Sequence, residues 1–303
     1  MNEAISETVR QFLMTCRIDN GREFRLADHD PDRKPEIDLS RQEITDYLTE
    51  RTACLSDLQQ RLYSSQSYGL LCVFQAMDTG GKDGTIRHVM SGVNPQGVQV
   101  RAFKQPGPEA IHHDFLWRVS LSLPQRGEIG IFNRSHYEEV LITRVHPHLL
   151  DKSGIPEELR GKPFWKNRLR DIRHFESYLG RQGIVIRKFF LHISKEEQRK
   201  RLLARLDDPT KHWKFSVDDI KERQYWNAYQ RAYEKAIIGT ARTAAPWFVI
   251  PANNKPMARL LVKEAIIETL EEINPQLPAL NEEQKAALDE GRAALEDRSD
   301  TPQ

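Results

Sequence analysis

Between residues 69 and 251 the chain alternates short apolar runs with amphipathic stretches of helical period. "GLLCVFQAM", from Gly69 to Met77, is apolar almost throughout, as a strand covered on both faces must be. "GVQVRAF", "EIGIFN", "GIVIRKFFLHI" and "PWFVIP" repeat that pattern, each set off by a helical stretch. Five such strands joined by helical crossovers predict an α/β fold: a three-layer sandwich with a five-stranded parallel sheet. Before it, "RQEITDYLTERTACLSDLQQRLY" carries Ile44, Leu48, Leu55, Leu58 and Leu62 at spacings near three and four, which predicts an amphipathic helix. The chain therefore reads as an N-terminal helical extension (1–66), a core (67–274) and a charged C-terminal helical tail (275–303). In that tail Asn281 caps one exposed helix, with Gln284 three residues on.

Composition narrows the setting. The 303 residues, 39% of them apolar, can bury a core without disulfides or a structural metal. A formal net charge of +1 gives no global pull toward nucleic acid or a membrane surface, so a polyanion would need locally concentrated charge. Cys16, Cys54 and Cys72 are odd in number and widely spaced, which points to a reducing compartment and away from zinc. The start, "MNEAISETVRQF", lacks the layout of a signal peptide, and no apolar run reaches membrane-spanning length. A cytoplasmic protein is the expectation.

The chemistry begins at "DTGGKDGTIRHV", where a glycine-rich turn joins the first strand to a helix. Backbone N–H groups from Thr79 through Thr85, including Gly80, Gly81 and Gly84, converge there with the positive helix end, and Lys82 adds a mobile charge. The usual phosphate loop reads G-x-x-x-x-G-K-[ST]. Here Ala76 replaces its first glycine and Asp83 its hydroxyl residue, so the ordinary magnesium ligand is missing. Asp78 and Asp83 offer hard oxygens instead, because magnesium is commonly held by one or two carboxylates plus substrate phosphates.

Two further segments belong with the loop. "EIGIFNRSHYEEVL" ends the third strand at Asn133 and Arg134, where ligands of open α/β sheets bind. Arg134 can face the same crevice as Lys82 or pair with Glu138 or Glu139. "EEQRKRLLARLDDPTKHWKFSVDDIKERQYW" is strongly basic and is broken by Asp-Asp-Pro, with Ser216 placed to cap a second helix. It predicts a lid over about 205–240 that closes on phosphates, with Arg205 and Lys214 beside the break. Most of its other cations read as a solvated helix face. "VHPHLL" offers His146 and His148 without a third ligand, and Arg118 lies one helical turn past Asp114.

In order along residues 50 to 272, "DTGGKDGTIRHV", "SGVNPQGVQV", "FNRSHYE", "LARLDDPTKHWKFS" and "APWFVIPANNK" resemble the motifs of the second family of polyphosphate kinases. The resemblance is greatest to its class III branch, the polyphosphate:AMP/ADP phosphotransferases. It implies a P-loop kinase fold with a helical lid, and Mg2+-dependent (Mn2+ possible) phosphoryl transfer between inorganic polyphosphate and AMP, ADP or ATP. It also implies a homo-oligomer, a dimer or tetramer. By motif, Asp78, Lys82, Arg134 and Arg205 are the expected catalytic residues, with Asp78 and Asn133 on the metal. Residues 79–85, Lys104, Lys211 and Lys214 would line the phosphates, and Arg118, Asn133 and Glu138 the nucleotide. Many members carry aspartate where this chain has Asn133, which leaves Glu138 or Asp83 to supply the missing charge. An ATP-dependent nucleoside monophosphate kinase and a non-catalytic polyphosphate- or nucleotide-binding protein are the competing expectations.

Overall fold

The computed structural model describes residues 2–36 and 40–296, so the last seven residues of the charged tail lie outside the described residues. The chain opens with α1 (Asn2–Cys16), β1 (Arg17–Asn20), α2 (Arg41–Ser65), β2 (Gly69–Ala76) and α3 (Lys82–Val89). Next come β3 (Val98–Ala102), the short helices α4 (Pro108–Ile111) and α5 (Trp117–Ser120), and β4 (Ile129–Asn133). They are followed by α6 (Ile142–Val145), α7 (Phe164–Arg181), β5 (Ile184–His192), α8 (Lys195–Leu206) and α9 (Val217–Glu222). The last elements are α10 (Trp226–Thr240), β6 (Arg242–Pro251), α11 (Lys255–Ile273) and α12 (Glu282–Glu296).

The sheet order is β1-β6-β5-β2-β4-β3. The five apolar runs form its parallel part, in a three-layer α/β sandwich. The expected count of five strands is corrected to six among the described residues: β1 adds to the β6 edge, antiparallel, pairing Arg17 with Phe248 and Ile18 with Trp247. "RIDN" has one apolar residue and no period of its own, so this strand exists only because β6 offers it an open edge.

β2 is buried at every position because both of its faces are covered. α11 lies against one face, with α1, α2 and α3 packed around it, and α7 and α10 cover the other. Leu260, Leu261, Val262, Ile266, Ile267 and Leu270 of α11 are all fully buried, as a helix between sheet and outer layer requires. On β5 the alternation of side chains sends Arg187 and Lys188 to opposite faces. Arg187 donates to Thr269 Oγ1 (2.8 Å) and Glu272 (2.5 Å) on α11. Lys188 enters the α7 side and donates to Glu176 (2.8 Å), Tyr137 Oη (3.2 Å) and the Thr240 carbonyl (2.8 Å).

α1 docks through Arg10, which reaches Glu271 (2.9 Å), Glu264 (3.7 Å) and Glu268 (3.9 Å) on α11. Burial pushes Glu268 up to about 7; Arg10 opposes this, and Glu264, Glu272 and Glu271 add to it. A carboxyl raised from 4.5 to about 7 by folding favours the fold below pH 4.5 and loses that advantage as pH rises through 7. Glu268→Gln should therefore leave the melting temperature nearly unchanged at pH 4 and raise it by about 2 °C at pH 8. Equal shifts at both pH values would rule out titration of Glu268 as the cause.

Candidate active site

β2 is the point where the strand order reverses, since the chain goes on to β3 and β4 on one side and to β5 and β6 on the other. The diverging connections leave a crevice beyond its carboxyl end, and the glycine turn fills that place. Gly80 N–H closes the turn on the Met77 carbonyl at 2.9 Å. A Cβ at Gly80 would sit 2.5 Å from Ala76 Cβ, and Gly81 has φ +96°, so neither position accepts a side chain readily. Thr79 (φ +59°) and Arg134 (φ +62°) are also left-handed without being glycine. Strain of roughly 1 kcal/mol at each is the kind that collects where side chains must be aimed.

Lys82 opens α3, is 9% exposed, and donates to the Ala76 carbonyl at 2.9 Å. Burial, joined by the Arg134 guanidinium, lowers its pKa below that of a free lysine, against the pull of Asp78, Glu138 and Asp83. Arg134 reaches across the crevice to Asp78 at 3.4 Å. Glu138 feels both cations: burial raises its pKa, and Arg134 and Lys82 oppose the rise. With the Gln75 amide oriented to satisfy both its ends, its nitrogen donates to Glu138 at 2.8 Å and its oxygen accepts from Ser135 Oγ at 3.1 Å.

The lid segment closes the other side. α8 ends at Leu206, just before Asp-Asp-Pro, and Ser216 Oγ accepts from Asp218 N–H to start α9. Arg205 donates to the Lys214 carbonyl (2.9 Å) and Asp219 (2.8 Å). Lys214 pairs with Asp83 at 3.4 Å, and its Nζ stands 4.9 Å from the centre of the Trp213 ring. The Asn133 amide also donates to Asp83, at 2.8 Å. Burial pushes Asp83 up, but the Asn133 hydrogen bond and Lys214 outweigh it and hold the carboxyl below its usual range.

Asp78, Lys82, Arg134 and Arg205 thus line one cleft of about 950 Å³, together with residues 79–81 and 83–85, Asn133, Lys104, Lys211 and Lys214. Among the described residues eleven lysine and arginine side chains line it against four carboxylates, so a nearly neutral chain carries a cationic groove. Arg118 is not among the lining: it donates to the Lys104 carbonyl at 2.6 Å and lies over Phe103. Glu138 is not among the lining either. His146 bonds Glu222 at 2.9 Å, and among the described residues no three or more His, Cys, Asp or Glu side chains are grouped so that they alone could hold a metal ion. The donors at the mouth, two carboxylates and the Asn133 carbonyl oxygen, suit a hard cation that completes its shell with water and phosphate oxygen.

Lys200 and Arg201, which the sequence placed on a solvated helix face, also line the cleft, as do Lys255 and Arg259, which sequence reasoning left out. Lys255 and Arg259 follow the end of β6, so the strand-end rule that picked Arg134 could have found them. A second cavity of about 1340 Å³ opens between α2, α3 and α11, contains His88 and Lys263, and shares Glu197, Lys255 and Arg259 with the cleft.

The family model described as Polyphosphate kinase 2 matches residues 38–278. An ADP-polyphosphate phosphotransferase of Rhodopseudomonas palustris is 52% identical over 79% of this chain and 83% of its own. An AMP/ADP-polyphosphate phosphotransferase of Meiothermus ruber is 45% identical over 86% of this chain and 94% of its own. The crystal structure of Polyphosphate Kinase 2 from Arthrobacter aurescens TC1 superposes with a TM-score of 0.81 at 39% identity, covering 90% of this chain and 95% of that one.

Proposed function

The chain belongs to the polyphosphate kinase 2 family, and we propose that it moves the terminal phosphate of inorganic polyphosphate reversibly to AMP or ADP. The observation that carries this reading is the gathering of the glycine turn, Lys82, Arg134 and Arg205 on one cationic cleft. Polyphosphate is densely anionic, and the second basic cavity, joined through Lys255 and Arg259, offers room for chain beyond the reacting unit.

Phosphoryl transfer needs positioning and charge neutralisation more than covalent chemistry. Lys82 and the turn amides hold the transferred group, and Arg134 and Arg205 stabilise the charge that spreads over its oxygens in flight. The acceptor is itself a phosphate oxygen, ionised near neutral pH, so no general base is required. Asn133 in place of an aspartate is then no obstacle: Asp83 accepts its N–H and leaves its carbonyl oxygen free. A divalent cation, Mg2+ or Mn2+, would be held by Asp78 and Asn133 and would neutralise phosphate charge when bound.

The cytoplasm suits the three free cysteines, and no helix among the described residues is long and apolar enough to cross a membrane. A homo-oligomer belongs to the same proposal. The test is to incubate the protein with polyphosphate, a divalent cation and AMP or ADP, without ATP, and to separate the nucleotides. ADP from AMP and ATP from ADP are expected; product formed only when ATP is the donor would make it an ordinary monophosphate kinase. Arg205→Ala should lower kcat about 10²- to 10³-fold and change the nucleotide KM by less than about threefold, as loss of an interaction made mainly in the transition state does. A risen KM with unchanged kcat would make Arg205 a binding residue.

A further inference from the structure

Arg201 lines the cleft one helical turn before Arg205, yet four of its five N–H donors are engaged elsewhere. Its Nε bonds Glu197 (2.7 Å), Nη1 the Thr79 carbonyl (3.2 Å), and Nη2 the carbonyls of Ala252 (2.6 Å) and Asn253 (3.2 Å). Gln198, 1% exposed on the same helix, donates to the Asp78 carbonyl at 3.1 Å. Arg223, past the end of α9, donates in turn to Gln198 Oε1 (3.2 Å) and the Lys195 carbonyl (2.7 Å). The helix that leads into the lid is therefore tied directly to the two residues that begin the phosphate turn, and the segment after α9 is tied to them through Gln198.

The turn needs this support. Thr79 holds φ +59°, and its hydroxyl is buried with no hydrogen-bond partner among the described residues. Two glycines follow, which resist no rearrangement. A left-handed threonine in such a setting persists only where surroundings over-determine it, and the Arg201 and Gln198 bonds to consecutive carbonyls do so.

We infer that Gln198 and Arg201 are positioning residues, which hold Asp78 and the phosphate turn in reacting geometry and couple them to the lid stem. The inference rests on phosphoryl transfer taking place at this cleft. A displacement of the turn by about 1 Å is enough to cost 10²-fold in rate.

Arg201→Met is expected to lower kcat about 10²-fold in the polyphosphate-plus-ADP assay, with the KM for both substrates within about threefold. Arg201→Lys keeps the charge and some of the bonds and should fall between. Thr79→Gly placed in the Arg201→Met protein removes the strain that the arginine restrains and should recover about tenfold. Gln198→Met, which deletes only the amide and keeps the volume, should cost about tenfold and guards against misfolding of the arginine variant. Wild-type kcat in Arg201→Met with only a lowered melting temperature would reduce the residue to a structural tie. A raised polyphosphate KM at unchanged kcat would mean that Arg201 binds phosphate directly. An inactive wild type would instead sink the functional reading itself.

Discussion

Lys82→Ala should abolish phosphoryl transfer, by about 10³-fold or more in kcat, while leaving the fold intact. Lys82 Nζ is the buried cation at the focus of the turn, 2.9 Å from the Ala76 carbonyl, with Asp78, Asp83 and Glu138 around it. Arg134 does not take its place, since it approaches from β4 and is aimed at Asp78. The fold survives because the position opens α3, where alanine is the best helix former, and because burial already disfavours the ammonium form. ATP formation from polyphosphate and ADP reads the first half of the prediction, and a thermal melt within a few degrees of wild type reads the second. Full activity in the variant would remove Lys82 from the site.

Glu176→Ala should destabilise the protein by about 3–5 kcal/mol, because it leaves Lys188 buried without its counter-charge. Both partners are essentially inaccessible, and they bond at 2.8 Å. Burial lowers Lys188 to about 8, with Glu176 pulling the other way. Tyr137 Oη donates to Glu176 at 2.6 Å, and Trp247 Nε1 reaches Thr240 Oγ1 at 2.9 Å, so α7, α10, β5, β6 and the segment after β4 meet at one polar knot. Replacing both charges with apolar groups of similar size, Glu176→Leu with Lys188→Met, should recover most of the loss, since paired removal leaves no fully buried charge alone and Arg242, 3.8 Å from Glu176, is partly exposed. Denaturant melts of the single and double variants decide it; additive losses would mean that the pair is not a coupled unit. Tyr137 lies three residues past Arg134, so the single variant should also lose turnover beyond its unfolded fraction.

Some of the misses have a common origin. β1 carries no signal because a four-residue polar strand is defined by the edge it joins. Arg201 and Arg199 look alike in "EEQRKRLLARL", yet Arg199 pairs with exposed Glu196 and Arg201 turns inward onto the carbonyls of Thr79, Ala252 and Asn253. One helical face separates them, and nothing local says which face meets the turn. Arg118 suggested a crevice or an Asp114 pair, and the fold places it behind Lys104 instead.

The sequence by itself determined the five apolar strands, the helices between them, the glycine turn with Lys82, and the breaks at Asp-Asp-Pro and Ser216. Each of these rests on apolar periodicity, permitted φ angles or a cap, and such terms act within a few residues. Only the tertiary structure decided the sixth strand, the burial of Lys188 and Glu176, the Asn133–Asp83 pair and the tie from Arg201 to Thr79. These depend on groups brought together from distant parts of the chain, where desolvation and hydrogen-bond geometry set the outcome and sequence spacing holds no record of either.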